Sequence, residues 1–354
     1  MSRIFVRSPY YVEVSGTANQ DTSVELYIWN GTGAAPSDPT HTLSKPIPSS
    51  LITECTYNIS PYVKEYIKHT NFQNIYNLNN SATPTNEWCN VNIKTYVDGV
   101  LDTTTTGIKA YDGWGLYSED ANPDFGLALL QEDTYYYYYD PNATLSTDVL
   151  KRAGSITFES TSGWSVKYTN LVSAATFIVN LSTTQVQDIY RVYPNYMADG
   201  NKVEIIDGSA VVQKTFYFRP VEECKYEPVV IDYINRYGGW SREFMFKASR
   251  VSMDVQNTEY YLMQTISSLS YDTERGQYQV FNANGKEYIT CNTGWVEEGY
   301  KDRVQEMLLS ERMLVNGLPA KIRTKSIQLF THINDKLINY QLEFDYANNV
   351  LNNV

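Results

Sequence analysis

Val91-Asn92-Ile93-Lys94-Thr95-Tyr96-Val97, then Asp98-Gly99, then a run from Leu101 to Tyr111 form the stretch that decides the fold. Apolar and polar residues alternate through Val91–Val97, the period of a strand with one buried face. Asp-Gly tolerates positive φ at both central positions of a tight turn. The returning run carries four threonines, a β-branched residue at home on a pleated surface. These features predict a hairpin.

Strand signals continue on both sides of it. Val24-Glu25-Leu26-Tyr27-Ile28-Trp29 is apolar and β-prone and is stopped by Asn30-Gly31. Ser60 as N-cap and Pro61 at the first helical position predict a short helix over 61–68, with Val63, Tyr66 and Ile67 on its inner face. Lys202-Val203-Glu204-Ile205-Ile206 meets a second turn dipeptide, Asp207-Gly208, and returns as Ala210 to Phe218. Tyr135 to Tyr139 are five consecutive tyrosines. Period two makes them a strand with alternate rings in core and solvent, the alternative being an aromatic platform for a sugar or a partner subunit.

The last hundred or so residues change character. Glu297 to Leu309 has helical spacing, with Tyr300, Val304, Met307 and Leu308 on one face and Glu297-Glu298 as first-turn acids. After Pro319 two strands are expected, Ile322–Thr331 and Leu337–Tyr346, joined through His332-Ile333-Asn334-Asp335. The expected fold class is therefore mainly β, with two tandem β-sandwich-like domains followed by a small α+β domain. The domains are expected at 1–117 (N-terminal, acidic), 118–250 (second sandwich-like) and 251–354 (one helix and a terminal hairpin). The turn-rich Gly113-Trp114-Gly115 and the stretch 118–126 suit a junction between the first two.

Composition excludes several functions. The chain has 354 residues, a net charge of −12 and 31 tyrosines against 3 histidines. Residues 1–150 carry 7 Lys/Arg against 17 Asp/Glu, so the acidity is concentrated there and a phosphate-tracking surface is disfavoured. Cys55, Cys89, Cys224 and Cys291 are far apart with no C-x-x-C pair, as expected of reduced, mostly buried thiols rather than a zinc site. The first residues lack the apolar core of a signal peptide, and no stretch approaches the ~20 apolar residues of a membrane helix. Neither a membrane anchor nor specific nucleic-acid binding is expected.

Catalytic signatures are equally thin. His41, His69 and His332 stand in no known nucleophile or metal-ligand setting, and His69 at a helix end suits the helix dipole. The Gly31-Thr32-Gly33 stretch puts Pro36 where a phosphate loop needs its third glycine. Glu297-Glu298 beside Trp295, or Glu119-Asp120 after Trp114, could serve a glycosidase as paired carboxylates, but 40 acidic residues make adjacent pairs commonplace. No catalytic, cofactor-binding or metal residue is therefore expected, and no cofactor. Abundant strands with modest charge favour an assembly protein, because sheet edges must be covered.

Residues 293–317, TGWVEEGYKDRVQEMLLSERMLVNG, and 333–353, INDKLINYQLEFDYANNVLNN, resemble a structural protein of tailed bacteriophages of Bacteroidota hosts, including crAss-like phages. NISPYVKEYI (58–67), Gly113-Trp114-Gly115-Leu116-Tyr117 and YEPVVIDYINRYGGWSREFMFK (226–247) fit the same long pattern. The resemblance implies a virion component made in the host cytoplasm, a ring in the tail hub, baseplate or neck around the DNA conduit. Its implied partners are further copies of itself and neighbouring tail or neck proteins. An acidic face toward the lumen would let DNA slide through. The alternatives are a receptor- or glycan-binding tail adhesin and, less favoured, a glycan hydrolase using Glu297 and Glu298.

Overall fold

A computed structural model of the protein describes residues 3–31, 33–48, 51–69, 86–126, 134–142, 153–160, 163–181, 188–223, 225–263, 266–267, 270–271, 274–328 and 338–352. The chain is mainly β, as expected. It divides into two compact units, one made of residues 1–222 with 232–244 and the other of 223–231 with 245–354.

The first unit begins with β1 (Arg3–Phe5), β2 (Tyr11–Ser15), β3 (Asp21–Asn30), β4 (His41–Pro46), β5 (Glu54–Asn58), α1 (Ser60–Lys64), β6 (Trp88–Val97) and β7 (Val100–Tyr111). A five-stranded sheet runs β1-β7-β6-β3-β4, and β2 pairs separately with β5. The expected hairpin is present: Val97 lies opposite Val100, with Asp98 at φ 48° and Gly99 at φ 76°. Val24, Leu26, Ile28, Val91 and Ile93 on one sheet face meet Val14 and Tyr57 from the β2–β5 pair and Val63 and Ile67 from around α1. This is a layered core with a sheet on each side.

The short helix differs at both ends, stopping at Lys64 instead of 68 and starting one residue early. Ile59, not Ser60, caps α1, and no side chain caps it. Ser60 is already helical and donates its hydroxyl to the Ser8 carbonyl at 2.6 Å, a tertiary bond that outcompetes the local cap. Asn58 Oδ1 takes the Ser60 N–H instead, at 3.2 Å. Val63 and Ile67 are buried as expected, and Tyr66 packs against them partly exposed.

The unit continues through β8 (Thr134–Tyr138), β9 (Ile156–Ser160), β10 (Ser165–Asn170), β11 (Thr176–Asn180), β12 (Asp188–Val192), β13 (Asn201–Ile206) and β14 (Val212–Val221). Five of these form a sheet, β11-β10-β13-β14-β8, while β9 and β12 pair with each other. Tyr135 and Tyr137 are buried and Tyr136 is exposed, so the tyrosine run alternates as a strand should. Tyr135 stacks on Phe218 with ring centroids 5.1 Å apart.

The second Asp-Gly hairpin is wider than a two-residue turn. Ile206 pairs with Val212 across a five-residue loop, 207–211. Asp207 organises that loop by accepting the Ser209 and Val211 N–H groups on its carboxylate, each at 2.9 Å. The left-handed position falls to Ala210 at φ 62°, not to Gly208.

Next come β15 (Val229–Ile234), β16 (Trp240–Met245), β17 (Arg250–Tyr261), β18 (Ile266–Ser267), β19 (Ser270–Tyr271), β20 (Tyr278–Val296), α2 (Tyr300–Leu309), β21 (Met313–Val315), β22 (Leu318–Ile322) and β23 (Ile338–Asn349). Along one sheet they follow the order β16-β15-β21-β22-β23-β20-β17. In the second unit Val304 and Met307 of α2 are fully buried, and Ile338, Tyr340, Leu342 and Phe344 of β23 point inward on one face as expected. Helix α2 starts three residues late, leaving Glu297 and Glu298 outside it; their carbonyls accept from Tyr300 and Lys301, and its first-turn acid is Asp302.

The strand expected at 322–331 lies earlier. β21 and β22 turn at Asn316 (φ 50°) and Gly317 (φ 77°), and Ile322 is the last strand residue rather than the first. Residues 323–328 are irregular, and the connection through His332 lies outside the described residues.

Candidate assembly surface

His41, His69 and Glu119 are each held by neighbours. His41 opens β4 and lies against the rings of Tyr62 and Tyr66, at 5.2 and 6.0 Å. His69 is buried, its Nε2 3.0 Å from Asp112 Oδ2 and its ring edge-on to Trp240. His69 lies beyond the end of α1, so the expected dipole contact gives way to this carboxylate. His332 and Cys224 lie outside the described residues.

Glu119 is gripped by Arg236, whose Nη2 donates to both carboxylate oxygens at 2.7 and 2.6 Å, and Glu119 also accepts the Leu116 N–H. Partial burial alone would raise its pKa; the bonds from Arg236 and Leu116 bring it below the ordinary 4.5. A carboxylate so held is a poor proton donor. The Arg236 guanidinium in turn lies 4.4 Å from the Phe125 ring centroid. Gly113 belongs to the same assembly, since a Cβ there would stand 2.5 Å from both the Arg236 carbonyl and the Phe5 ring. The glycine-rich stretch read as a junction is thus packed inside the first unit.

Deeper in that unit, charges are buried in pairs. Arg191 bonds Glu87, and Arg3 reaches Glu159 at 2.8 Å. Glu159 also accepts from the Tyr111 hydroxyl at 3.1 Å. Arg242 forks onto both oxygens of Asp232 at 2.6 and 2.8 Å with neither side chain exposed. Desolvation offsets much of the attraction in such pairs, and losing one partner strands a buried charge. Cys55, Cys89 and Cys291 are free, buried thiols, and burial pushes Cys89 and Cys291 up to about 12. Among the described residues no group of three or more His, Cys, Asp or Glu could hold a metal ion. No described helix is long and apolar enough to cross a membrane.

Conspicuous apolar groups lie on the surface. β17 pairs with β20 along its whole length, from Arg250 opposite Thr290 to Tyr261 opposite Tyr278. The other neighbour of β20, β23, stops pairing at Lys286. Beyond it the two strands continue as a ribbon, 255–261 against 278–285, with no further strand beside it among the described residues. Val251, Met253 and Val255 share one face with Ile289, which pairs with Phe344 in the core, so the apolar row of the core runs out onto the ribbon. There it is uncovered: Val255 is 63% exposed and Phe281, at the bulge, 78%. The opposite face is polar, with Arg323 bonding Asp254 at 2.6 Å and Asp345 at 3.2 Å while lying over Tyr288.

A second uncovered element is β11, the last strand of its sheet, where Phe177 and Ile178 are 43% and 53% exposed. Trp295 is exposed as well, beside the bulge between Asn292 and Trp295. The sequence reading missed both the ribbon and β11. The signals were present: Val-Ser-Met-Asp-Val at 251–255 alternates, and Thr-Phe-Ile-Val-Asn at 176–180 is β-prone and uncharged. Alternation marks a strand with one apolar face but does not say whether anything covers it.

Comparisons with protein-family models, with curated proteins and with solved structures find no match to this chain.

Proposed function

We propose that the protein is a non-enzymatic structural subunit of a tailed-phage virion, forming a homo-oligomeric ring in the tail hub, baseplate or neck around the DNA conduit. The observation that carries the assembly part of this reading is the β17–β20 ribbon. An isolated two-stranded ribbon is marginal in water, and this one leaves its own sheet while displaying the apolar row that the core begins. Patches of this kind mark interaction surfaces. The virion part rests on the resemblance of residues 58–67, 226–247, 293–317 and 333–353 to tailed-phage structural proteins. The buried ion pairs and inert thiols are compatible with a scaffolding role.

A receptor-binding adhesin is the second reading, favoured by exposed rings at the far end of the ribbon, where Tyr261 and Tyr278 meet edge-on at 5.6 Å. Light scattering of the purified chain over a concentration series separates the two. A closed oligomer of about six or twelve copies supports the ring. A stable trimer that binds host glycan supports the adhesin. A chain that stays monomeric throughout overturns self-assembly.

A further inference from the structure

Among the described residues, two sheet edges lack the usual protection against strand pairing. Natural edges are blunted by lysine, proline, bulges or covering segments. β4 ends its sheet with Lys45 and Pro46, and β16 is buried along its length. β8 runs into Asp140-Pro141. β11 has none of these devices: Thr176-Phe177-Ile178-Val179-Asn180 contains neither charge nor proline. The outer strand of the ribbon, β17, is similarly open from Val255 to Thr258, before its bulge at Thr258/Glu259.

Their charges differ in sign. Beyond Arg250, β17 carries no base and two acids, Glu259 and Asp254, the latter already held by Arg323 at 2.6 Å. Next to β11, Lys167 lies opposite Ile178, and Lys202 follows one strand further on β13. Both lysines share the single carboxylate of Glu204, at 3.4 and 2.6 Å, which leaves one positive charge in surplus beside the β11 edge. Glu259 on one strand and an edge flanked by surplus base on the other are matched in a protein whose net charge is −12.

We infer that the ribbon of one copy adds β17 to the β11 edge of the next copy, so that each chain is donor at one surface and acceptor at the other. The inference rests on the self-assembling reading above and specifies its contact. Main-chain hydrogen bonds between the added strand and β11 supply affinity, over about 17 Å for five residues. Val255 and its row then meet Phe177 or Ile178 according to register. Because donor and acceptor are different surfaces, the contact is head-to-tail and passes on from copy to copy, as a ring requires, instead of stopping at a dimer.

The test uses the full chain and two substitutions at exposed positions, Val255→Lys on the donor and Ile178→Lys on the acceptor. Circular dichroism and thermal melting first establish that each variant folds like the wild type. Each variant alone is expected to raise the concentration for half-assembly by about tenfold or more. Mixing the two restores one good contact, formed by the ribbon of the Ile178→Lys copy on the β11 edge of the Val255→Lys copy, and yields a species of two chains. If the wild type forms a ring and either folded variant assembles as well as it does, the inference is overturned while the ring stands. If both variants are impaired yet their mixture forms no two-chain species, the contact is not donor-to-acceptor and the inference is likewise overturned. A wild-type chain that never assembles removes the ring reading itself, and the inference with it.

Discussion

Arg236 lies over Phe125 at 4.4 Å and holds both oxygens of Glu119, so one side chain joins an aromatic cluster to a carboxylate 117 positions away in sequence. Because the folded-state pKa of Glu119 is depressed, its stabilisation is present above the ordinary 4.5 and is lost as the pH falls through the lowered value. Glu119→Gln is therefore expected to lower stability at pH 7 by about 0.5 kcal/mol, as suits a part-exposed pair. Its unfolding midpoint should converge with that of the wild type in acid, measured by melting from pH 7 down to pH 2. A constant gap across that range would mean that Glu119 acts by packing alone. Cys89 and Cys291 make a second case at this scale. With both thiols near 12, only about one in ten thousand is ionised at pH 8. Peptide mapping after treatment with a thiol reagent should show both unlabelled in the native protein and fully labelled in denaturant. Glu119-Asp120 was legible in the sequence as a pair, but its partner Arg236 was not, since nothing local ties residue 119 to residue 236.

At the scale of elements, the two Asp-Gly dipeptides share a sequence and differ in structure. Asp98-Gly99 is a two-residue turn with both residues at positive φ, whereas Asp207-Gly208 opens a five-residue loop whose left-handed residue is Ala210. A dipeptide signals a turn; its length is settled by how the flanking strands register, and β13 and β14 shift register at Ile205/Ile206. Gly99→Ala meets no atom within 4 Å, so its expected cost, about 1 kcal/mol, is purely that of placing an L-residue at φ 76°. Ala210→Gly relieves the same strain at φ 62° and, after the added chain entropy of glycine, is expected to change stability by only about 0.5 kcal/mol, in the stabilising direction. Denaturant titration of both variants checks the pair, and equal destabilisation would contradict the assigned turn geometries. Strands with strong alternation, β6, β13 and β23, were legible because a period of two survives any tertiary context. The starts of α1 and α2 were not, because Ser60 bonds Ser8 and the acids at 297–298 precede the helix. Asn316-Gly317 shows the converse, a strong turn signal overlooked because Pro319 drew the expected strands downstream.

For the whole molecule, the mainly β character follows from composition and alternation, while the division into units depends on contacts made across long stretches of chain. Residues 232–244 group with the first unit and 223–231 with the second, so no single cut in the sequence separates them. The line expected at 117 came from local turn density and that at 250 from a change in sequence character, and neither carries a record of such returns. Net charge, by contrast, is fully legible and bears directly on assembly. Each copy brings −12, and the proposed ring would set these charges side by side. With Asp254 held by Arg323, the proposed contact offers Glu259 of β17 against one surplus positive charge beside β11, a local attraction small beside the repulsion of whole subunits. Screening shortens the reach of that repulsion from about 30 Å at 0.01 M salt to about 8 Å at 0.15 M. The main-chain bonds and apolar contacts of the interface are not weakened by this. Association is therefore expected to tighten as salt rises over that range, read by light scattering as a fall in the concentration for half-assembly. Loosening over the same range would mean that attraction between opposite charges, not strand pairing and apolar burial, holds the copies together.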